Sequence, residues 1–460
     1  MPGSLRGEQA DASRRYVRAL RPAGGGRGRR ARDGLQPQGG GLLRTPGREP
    51  VLPRGAELSA LPPGGAPAAA SGQAAPDPSQ RLDDHRRRNR LSGSPLWRPL
   101  PHHSHRHLGL PPRRGHARSP HTAAVTLPLP ASGLVRGCWQ LSRGHGPGWS
   151  PERAFAALDE AAARPGPLFL DCADIYTGAE QLLGDWLAAR PASAGQVVVF
   201  TKFVPDLDAL ATIDRIYVRD IVLRSRDRLG VEALELVQFA WWDLSQPGWL
   251  RAAEWLTELG EEGVVRNIGV TNFDRGALTA LLDAGIPVIS NQVQFSLLDR
   301  RPKKGMTDLC LQRGVTLLAY GALAGGLLSD SAGGLAPSRS LVKYRLIADE
   351  VGGRAVLERA RTALAEVAGR RRSTMADVAV AYALRQPAVG AVIVGLSRRG
   401  RAVGARRLRL EPGDERSLEA AVPQEVPGEV FELERDQGGP HGRIMRYNLN
   451  REGSGWVRGE

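Results

Sequence analysis

The stretch PLFLDCADIYTGAEQLLGDWLAARPASAGQVVVFTKF, residues 167–203, contains the unit that decides the fold. It begins and ends with a continuous apolar run, PLFLDCA (167–173) and VVVFTKF (197–203), and the segment AEQLLGDWLAAR between them has apolar residues at helical spacing. Continuous apolar runs are typical of parallel strands buried on both faces, and parallel neighbours need a crossover between them, usually a helix. The stretch therefore predicts a strand, a helix and a second, parallel strand.

The same unit repeats along the chain from about residue 127. Helical patterns separate the apolar runs, and the last and longest gap contains two, GGRAVLERARTALAEVAGR and TMADVAVAYALRQ. Eight such units predict a closed (β/α)8 TIM barrel of the α/β class. An open doubly wound sheet is the alternative, but no G-x-G-x-x-G follows the first run, and GHGPG (144–148) has the wrong spacing. The other six runs are LVRGCWQL (134–141), LELVQFAW (234–241), VVRNIGVTN (264–272), VISNQVQF (288–295), VTLLAY (315–320) and AVIVGL (391–396).

Residues 1–125 differ in composition from the rest of the chain. They contain 22 Arg, no Lys and 8 acidic residues, and so carry +14 of the formal net charge of +15. Pro and Gly recur in segments such as PPGGAPAAASG, without apolar periodicity. Such a composition buries too little surface to offset the loss of backbone entropy. We therefore expect a disordered leader over 1–125, a barrel domain over 126–412 and a C-terminal extension over 413–460.

Beside a plain solvated tail, three explanations are open for this leader: an Arg-rich organelle transit peptide, a nucleic-acid-binding tail, or an upstream extension of the gene. Glu8 and Asp11 weaken the first, because transit peptides are poor in acidic residues. The nearly neutral body excludes a basic nucleic-acid-binding core, and the leader has almost no aromatic residues for base stacking. We expect no nucleic-acid partner and a cytoplasmic location, or a plastid or mitochondrion if the leader is a transit peptide.

Two further classes of protein are excluded by simple counts. The chain has no run of about 20 apolar residues, so we expect no membrane span. Its three cysteines, Cys138, Cys172 and Cys310, are too few and too scattered for a disulfide framework or a zinc site. We therefore predict no metal.

Polar residues at the carboxyl ends of the predicted strands mark a catalytic face, because barrel enzymes place their catalytic groups there. The second strand leads into Asp171 and Tyr176, and the third ends near Lys202, one of only four Lys in a chain with 59 Arg. A lysine inside an apolar run needs a carboxylate partner, for which Asp171 is the candidate. One interpretation is a structural ion pair at the barrel mouth. The other adds Tyr176 as a general acid whose pKa the ammonium lowers.

Six motifs in order resemble those of the aldo-keto reductase family, between about Leu134 and Gly395. The ending VFELERDQGGPHGRIMRYNLN (430–450) also resembles the tails of some algal and plant-type members. The six motifs are LDCADIYTGAEQLLGDWL, VVVFTKF, LELVQFAWWD, GVVRNIGVTNF, PVISNQVQFS and LLAYGALAGGLL.

The resemblance implies a catalytic set and a substrate pocket. Tyr176 matches the family's general acid, Lys202 the residue that tunes it, and Asp171 the carboxylate that holds the lysine. Trp139 and Trp241 match the wall of the substrate pocket, which the loop 321–352 and the C-terminal tail would complete.

The resemblance also implies an NADP site. Three groups of residues match its parts: those that hydrogen-bond the nicotinamide carboxamide, the aromatic residue on which the ring stacks, and those that bind the adenosine 2′-phosphate. The carboxamide group consists of Thr271, Asn272 and Gln292, and the stacking aromatic residue is Tyr320. The 2′-phosphate group consists of Ser397, Arg398 and Arg401.

Two departures from the family pattern affect this interpretation. The family has a His after the fourth strand, and here Ala240 takes its place in the substrate pocket. His145, in the loop after the first strand, is an alternative donor, although a loop histidine is usually just solvated. The segment RRGRAVGARRLRLEP (398–412) is Arg-rich and interrupted by Gly, so it is either a phosphate site or a solvated basic surface.

The sequence thus predicts an NADPH-dependent oxidoreductase that reduces a small carbonyl substrate, an aldehyde or ketone, with Tyr176 as proton donor. The alternative is a catalytically impaired NADPH-binding or regulatory protein, because a lost hydrogen bond to the reacting oxygen costs about 10²–10³ in rate.

Overall fold

The computed structural model describes residues 127–143, 145, 150–335, 338–396, 402 and 404–452. The predicted leader over 1–125 and the predicted phosphate-binding residues Ser397, Arg398 and Arg401 lie outside the described residues. No helix within the described ranges is long and apolar enough to span a bilayer.

Eight parallel strands close into a barrel in sequence order, with the first strand paired to both the second and the eighth. The predicted (β/α)8 barrel is confirmed. The strands are β1 Leu134–Gly137, β2 Leu168–Asp171, β3 Val197–Phe203, β4 Leu236–Phe239, β5 Ile268–Thr271, β6 Val288–Gln294, β7 Thr316–Tyr320 and β8 Val389–Gly395.

Most of the strands end before the last residue of the apolar run that predicts them. After β1, Trp139–Leu141 form a turn of 3-10 helix, and after β4 the side chains of Ala240 and Trp241 stay buried although the strand has ended. An apolar run in the sequence indicates that its residues are buried, not that all of them belong to a strand. Loop residues at the carboxyl end of a barrel strand are also buried, by the loops around them. The runs therefore extend into the loops that form the catalytic face.

Helices surround the barrel where the sequence predicts them. The long gap before β8 contains three helices, Arg339–Glu350, Gly353–Arg371 and Met375–Leu384, of which the last two are the helices predicted there. Gly230 and Gly314 end their helices in the left-handed conformation, with φ of +66° and +68°, which glycine adopts at little cost. The helices are α1 Pro151–Ala162, α2 Ala179–Ala188, α3 Pro191–Ala194, α4 Arg215–Leu229, α5 Trp249–Glu261, α6 Arg275–Asp283, α7 Met306–Arg313, α8 Arg339–Glu350, α9 Gly353–Arg371, α10 Met375–Leu384, α11 Pro412–Ala421, α12 Glu432–Arg435, α13 Pro440–Arg443 and α14 Leu449–Glu452.

The residues after α11 cross the carboxyl-terminal face of the barrel. Glu434 forms a buried two-point ion pair with Arg301, at 2.9 and 3.0 Å. Further along, the Asn450 side chain donates to the Val204 carbonyl at 2.7 Å, and the Leu207 amide donates to the Tyr447 carbonyl at 3.0 Å. The chain end thus contributes to the face on which barrel enzymes carry their active sites.

Candidate active site

A buried ion pair lies at the mouth of the barrel between the ends of β2 and β3. The Lys202 Nζ is 2.7 Å from Oδ2 of Asp171 and also donates to the Cys172 carbonyl at 2.7 Å. Burial is the largest single effect and disfavours the charged lysine, but the charge and hydrogen bond of Asp171 together with the nearby Tyr176 and Cys172 outweigh it, so the pKa of Lys202 is raised. The predicted partnership of Lys202 and Asp171 is present, and the lysine stays protonated at neutral pH.

The second oxygen of Asp171 joins the ion pair to two amides. Its Oδ1 accepts from Nε2 of Gln238 at 2.9 Å and from Nε2 of Gln292 at 2.7 Å. Gln292 Nε2 also donates to Gln238 Oε1 at 2.7 Å. Both hydrogens of the Gln292 amide are thus used, so its Oε1 faces away from this network as an acceptor.

Tyr176 stands beside the lysine, and the Lys202 Nζ lies 5.1 Å from the centroid of its ring. Burial raises the pKa of Tyr176 to about 12, while Lys202 acts in the opposite direction. The ammonium thus lowers this pKa as predicted, but the desolvation of the phenol outweighs its effect and the net shift of the pKa is upward.

A second hydrogen-bonded chain lies across the mouth, at the ends of β5 and β7. The Lys343 Nζ donates to the Tyr320 hydroxyl at 3.2 Å, and this hydroxyl donates to Asn272 Oδ1 at 2.9 Å. Asn272 has a left-handed backbone, with φ of +62°, and its Nδ2 makes no hydrogen bond to any residue within the described ranges. Thr271 Oγ1 donates to the Gln292 carbonyl at 3.1 Å and so ties β5 to β6.

With the exception of Gln238, which lies behind Asp171 and Gln292, these side chains line one cavity of about 530 Å³, within the usual size range of small-molecule sites. The predicted pocket residues Trp139, Ala240 and Trp241 line it too. The loop after β7 contributes residues such as Leu323, and the C-terminal tail contributes residues such as Phe431. All seven predicted catalytic and cofactor-binding residues within the described ranges therefore line the same cavity as the three predicted pocket residues.

Ala240 offers only a methyl group to the wall of this cavity. The aromatic residues Phe239 and Trp241 flank it along the chain. Trp241 packs edge-on against Phe239, with the ring centroids 5.9 Å apart, and donates its Nε1 to the Gln246 carbonyl at 3.2 Å. The cavity wall is therefore apolar at this position.

His145 differs from the solvated loop histidine that the sequence suggests. It is 7% exposed, lines the cavity, and packs edge-on against Trp139 with the ring centroids 4.7 Å apart. Its Nε2 is 3.0 Å from the Ser340 hydroxyl. Burial, with the nearby charge of Arg339, lowers the pKa of His145 to about 4, so the imidazole is neutral at physiological pH.

Two residues of the site were missed by sequence reasoning. Gln238 interrupts the apolar run of β4, and a polar residue inside a buried run is the signal that marks it. Lys343 is one of the four lysines of the chain, and this rarity is the signal that could have marked it, as it marks Lys202.

No group of three or more His, Cys, Asp or Glu is placed to hold a metal ion within the described ranges.

Comparison with known proteins adds an independent finding. Residues 133–405, more than half of the chain, match the Aldo/keto reductase family. Pyridoxal reductase, chloroplastic, from Arabidopsis thaliana is 30% identical over 243 residues, which cover 49% of this chain and 64% of that protein. The matched stretch thus spans less than two thirds of the length of pyridoxal reductase.

Two further similarities extend this comparison. The oxidoreductase YqkF from Bacillus subtilis is 27% identical over 316 residues, which cover 65% of this chain and 96% of that protein. A thermostable aldo-keto reductase solved with the inhibitor epalrestat superimposes with a TM-score of 0.50 at 22% identity, covering 63% of this chain and 94% of the other. This structural likeness supports the barrel fold.

Proposed function

The chain belongs to the aldo/keto reductase family, and from that premise we propose that it is an NADPH-dependent oxidoreductase that reduces the carbonyl group of an aldehyde or ketone. The observation that carries the proposal is the convergence of Asp171, Lys202 and Tyr176 in one cavity with the amides of Asn272 and Gln292. A proton donor and a carboxamide-binding pair are the two protein components that such a reaction needs.

The hydrogen-bonding groups of the cavity fit a nicotinamide. A primary carboxamide has one acceptor oxygen and a donor nitrogen. Asn272 offers the donor, because its Oδ1 is engaged by Tyr320 and its Nδ2 is left for a ligand. Gln292 offers the acceptor, because both hydrogens of its Nε2 are engaged by Asp171 and Gln238. Tyr320 supplies the aromatic surface for the ring. When bound, the cofactor would supply a hydride.

Tyr176 is the proposed proton donor to the substrate oxygen. With a pKa of about 12 the phenol is protonated throughout the physiological range. It is nevertheless a stronger acid than an alcohol, so proton transfer to a developing alkoxide is favourable. The charged Lys202 stabilises the phenolate that remains, and Asp171 keeps this lysine in place.

We propose that Ser397, Arg398 and Arg401 bind the adenosine 2′-phosphate, as the family resemblance implies. Two arginines supply the planar, charged donors that suit phosphate. This assignment gives the site its preference for NADPH over NADH.

A second candidate function rests on Ala240. Because the cavity wall is apolar at this position, the substrate oxygen lacks the donor that the family has there, and the protein would bind NADPH without efficient turnover.

One experiment separates the two candidates. Purified protein is titrated with NADPH and then assayed for NADPH consumption with a panel of aldehydes and quinones. Binding with turnover supports the reductase, binding without turnover supports the regulatory binder, and absence of binding contradicts both.

For location we propose the cytoplasm, or a plastid or mitochondrion if residues 1–125 act as a transit peptide. A relative named as chloroplastic is consistent with the second possibility. Fusion of residues 1–125 to a fluorescent protein tests this, since organelle import of the reporter would contradict a cytoplasmic location.

A further inference from the structure

The ammonium group of Lys343 is buried in the cavity, and the proposed chemistry does not use it. It projects from α8 and is 8% exposed. Its Nζ lies 4.7 Å from the centroid of the Tyr320 ring, 5.7 Å from that of Phe431 and 5.9 Å from that of Tyr344. Within the described ranges, no carboxylate lies within ion-pair distance of this nitrogen. A buried charge with so few partners is costly, so its position calls for a function.

The first consequence of Lys343 concerns the direction of the hydrogen bonds in the chain to Asn272. A protonated lysine can only donate, so the Tyr320 hydroxyl must accept from it and use its single hydrogen for Asn272 Oδ1. The Asn272 amide is thereby fixed with Nδ2 as the group available to a ligand. Without Lys343, the hydroxyl could accept from the amide instead, and the amide could turn over.

The second consequence concerns charge. Asp299 and Glu434 act electrostatically on Lys343, and both are bound by Arg301, at 2.7 and 2.9 Å. The two carboxylates and two cations sum to zero. Removal of the lysine charge would leave this cluster with one net negative charge beside the ring of Tyr320.

We infer that Lys343 is a positioning residue of the cofactor site, which fixes the Asn272 amide and makes the site favour the reduced nicotinamide over the oxidised one. This inference rests on the proposed function, in which the nicotinamide stacks on Tyr320. The oxidised ring carries a positive charge and the reduced ring does not. Loss of the Lys343 charge therefore stabilises NADP⁺ relative to NADPH, whereas a change in amide orientation affects both forms alike.

The test is a binding measurement that requires no turnover. NADPH and NADP⁺ are titrated separately into the full-length protein at pH 7, below the pKa of Lys343 of about 8, and the ratio of Kd for NADP⁺ to Kd for NADPH is determined. At an effective dielectric constant of about 20, one unit charge several ångströms away changes such a ratio by about 5-fold or more. We expect Lys343→Met to lower the ratio by about 5-fold or more, and Lys343→Arg to preserve it.

Control variants isolate the charge effect. Lys303→Met removes an exposed lysine that pairs with Glu419 outside the cavity, and should leave both Kd values unchanged. Tyr320→Phe removes the hydroxyl but keeps the ring and the ammonium, and should weaken both nucleotides without lowering the ratio. Where Lys343→Met does not fold, Lys343→Gln removes the same charge.

Each outcome decides the inference. An unchanged ratio in the folded Lys343→Met or Lys343→Gln variant overturns it while leaving the proposed function intact, since the wild type still binds both nucleotides. A wild type that binds neither nucleotide overturns the proposed function and this inference together.

Discussion

The Lys202 ammonium and the Asp171 carboxylate lie 2.7 Å apart, and both side chains are almost completely shielded from solvent. A buried ion pair of this kind is held together by the low polarity around it, but each partner depends on the other. The pair joins the ends of two neighbouring strands, and it also places the lysine beside Tyr176. Stability and the proposed proton transfer therefore depend on the same contact.

Lys202→Met should both destabilise the protein and abolish carbonyl reduction. Removal of one partner leaves Asp171 buried without its counter-ion, which typically costs about 3–5 kcal/mol in the free energy of unfolding. Denaturant unfolding measures this loss. Lys303→Met is the matched control, because its pair with Glu419 is partly exposed and should contribute no more than about 1 kcal/mol. Equal losses of unfolding free energy in the two variants would show that the buried ion pair contributes no more to stability than the partly exposed one.

Ala240→His should raise carbonyl turnover. The cavity leaves space at this wall, and a neutral imidazole there can donate to the substrate oxygen. A gain of about 10-fold or more corresponds to at least about 1.4 kcal/mol of transition-state stabilisation. Ala240→Leu adds bulk without a donor and is the control for packing. If Ala240→His stays at background while NADPH still binds, the reductase proposal gives way to the regulatory binder.

The stability of the protein should depend on His145 at mildly acidic pH. Its pKa is about 4 in the folded state and about 6.5 when unfolded, so the unfolded chain binds more protons between these values. The His145 contribution to stability is therefore lost as pH falls through this window. The unfolding free energy of wild type relative to His145→Gln should fall by roughly 2 kcal/mol between pH 7 and pH 5. An equal difference in unfolding free energy between wild type and His145→Gln at both pH values would mean that the imidazole of His145 is not shielded from solvent.

NADPH should bind more tightly than NADH, through the proposed contacts of Arg398 and Arg401 with the 2′-phosphate. Substitution of both arginines by Gln should weaken NADPH by about 10-fold or more and leave NADH nearly unchanged, because charge-assisted hydrogen bonds contribute about 1.5–3 kcal/mol each. Fluorescence quenching gives both affinities. Equal affinity of the wild type for the two nucleotides would contradict the assignment.

The sequence predicts the barrel and the ion pair because both depend on local patterns. Eight apolar runs separated by helical segments specify the strand order, and the rare Lys202 lies in the strand next to that of Asp171. Lys343 could not be placed from the sequence, since a helix outside the barrel brings it to Tyr320. The contact of Asn450 with Val204 joins residues 246 apart, for which no local pattern exists.

The electrostatics of the site could be predicted only in part. The sequence supplies the ammonium that lowers the pKa of Tyr176, but not the degree of burial, which acts in the opposite direction and is larger. The same holds for His145, whose loop position suggests solvation, although packing against Trp139 and the hydrogen bond to Ser340 bury it. Desolvation depends on all the elements that surround a side chain, and no sequence motif encodes it.

The most direct measurement of the central claim compares wild type with Tyr176→Phe, following the loss of NADPH absorbance with an aldehyde substrate and, separately, the Kd for NADPH. The substitution removes the proposed proton donor and keeps the ring. We predict that the wild type consumes NADPH, that the variant is slower by about 10²-fold or more, and that the two bind NADPH with similar affinity, because Asn272, Gln292 and Tyr320 make the proposed nicotinamide contacts. Equal rates in the two proteins, or a wild type that binds NADPH but never consumes it, would contradict the account.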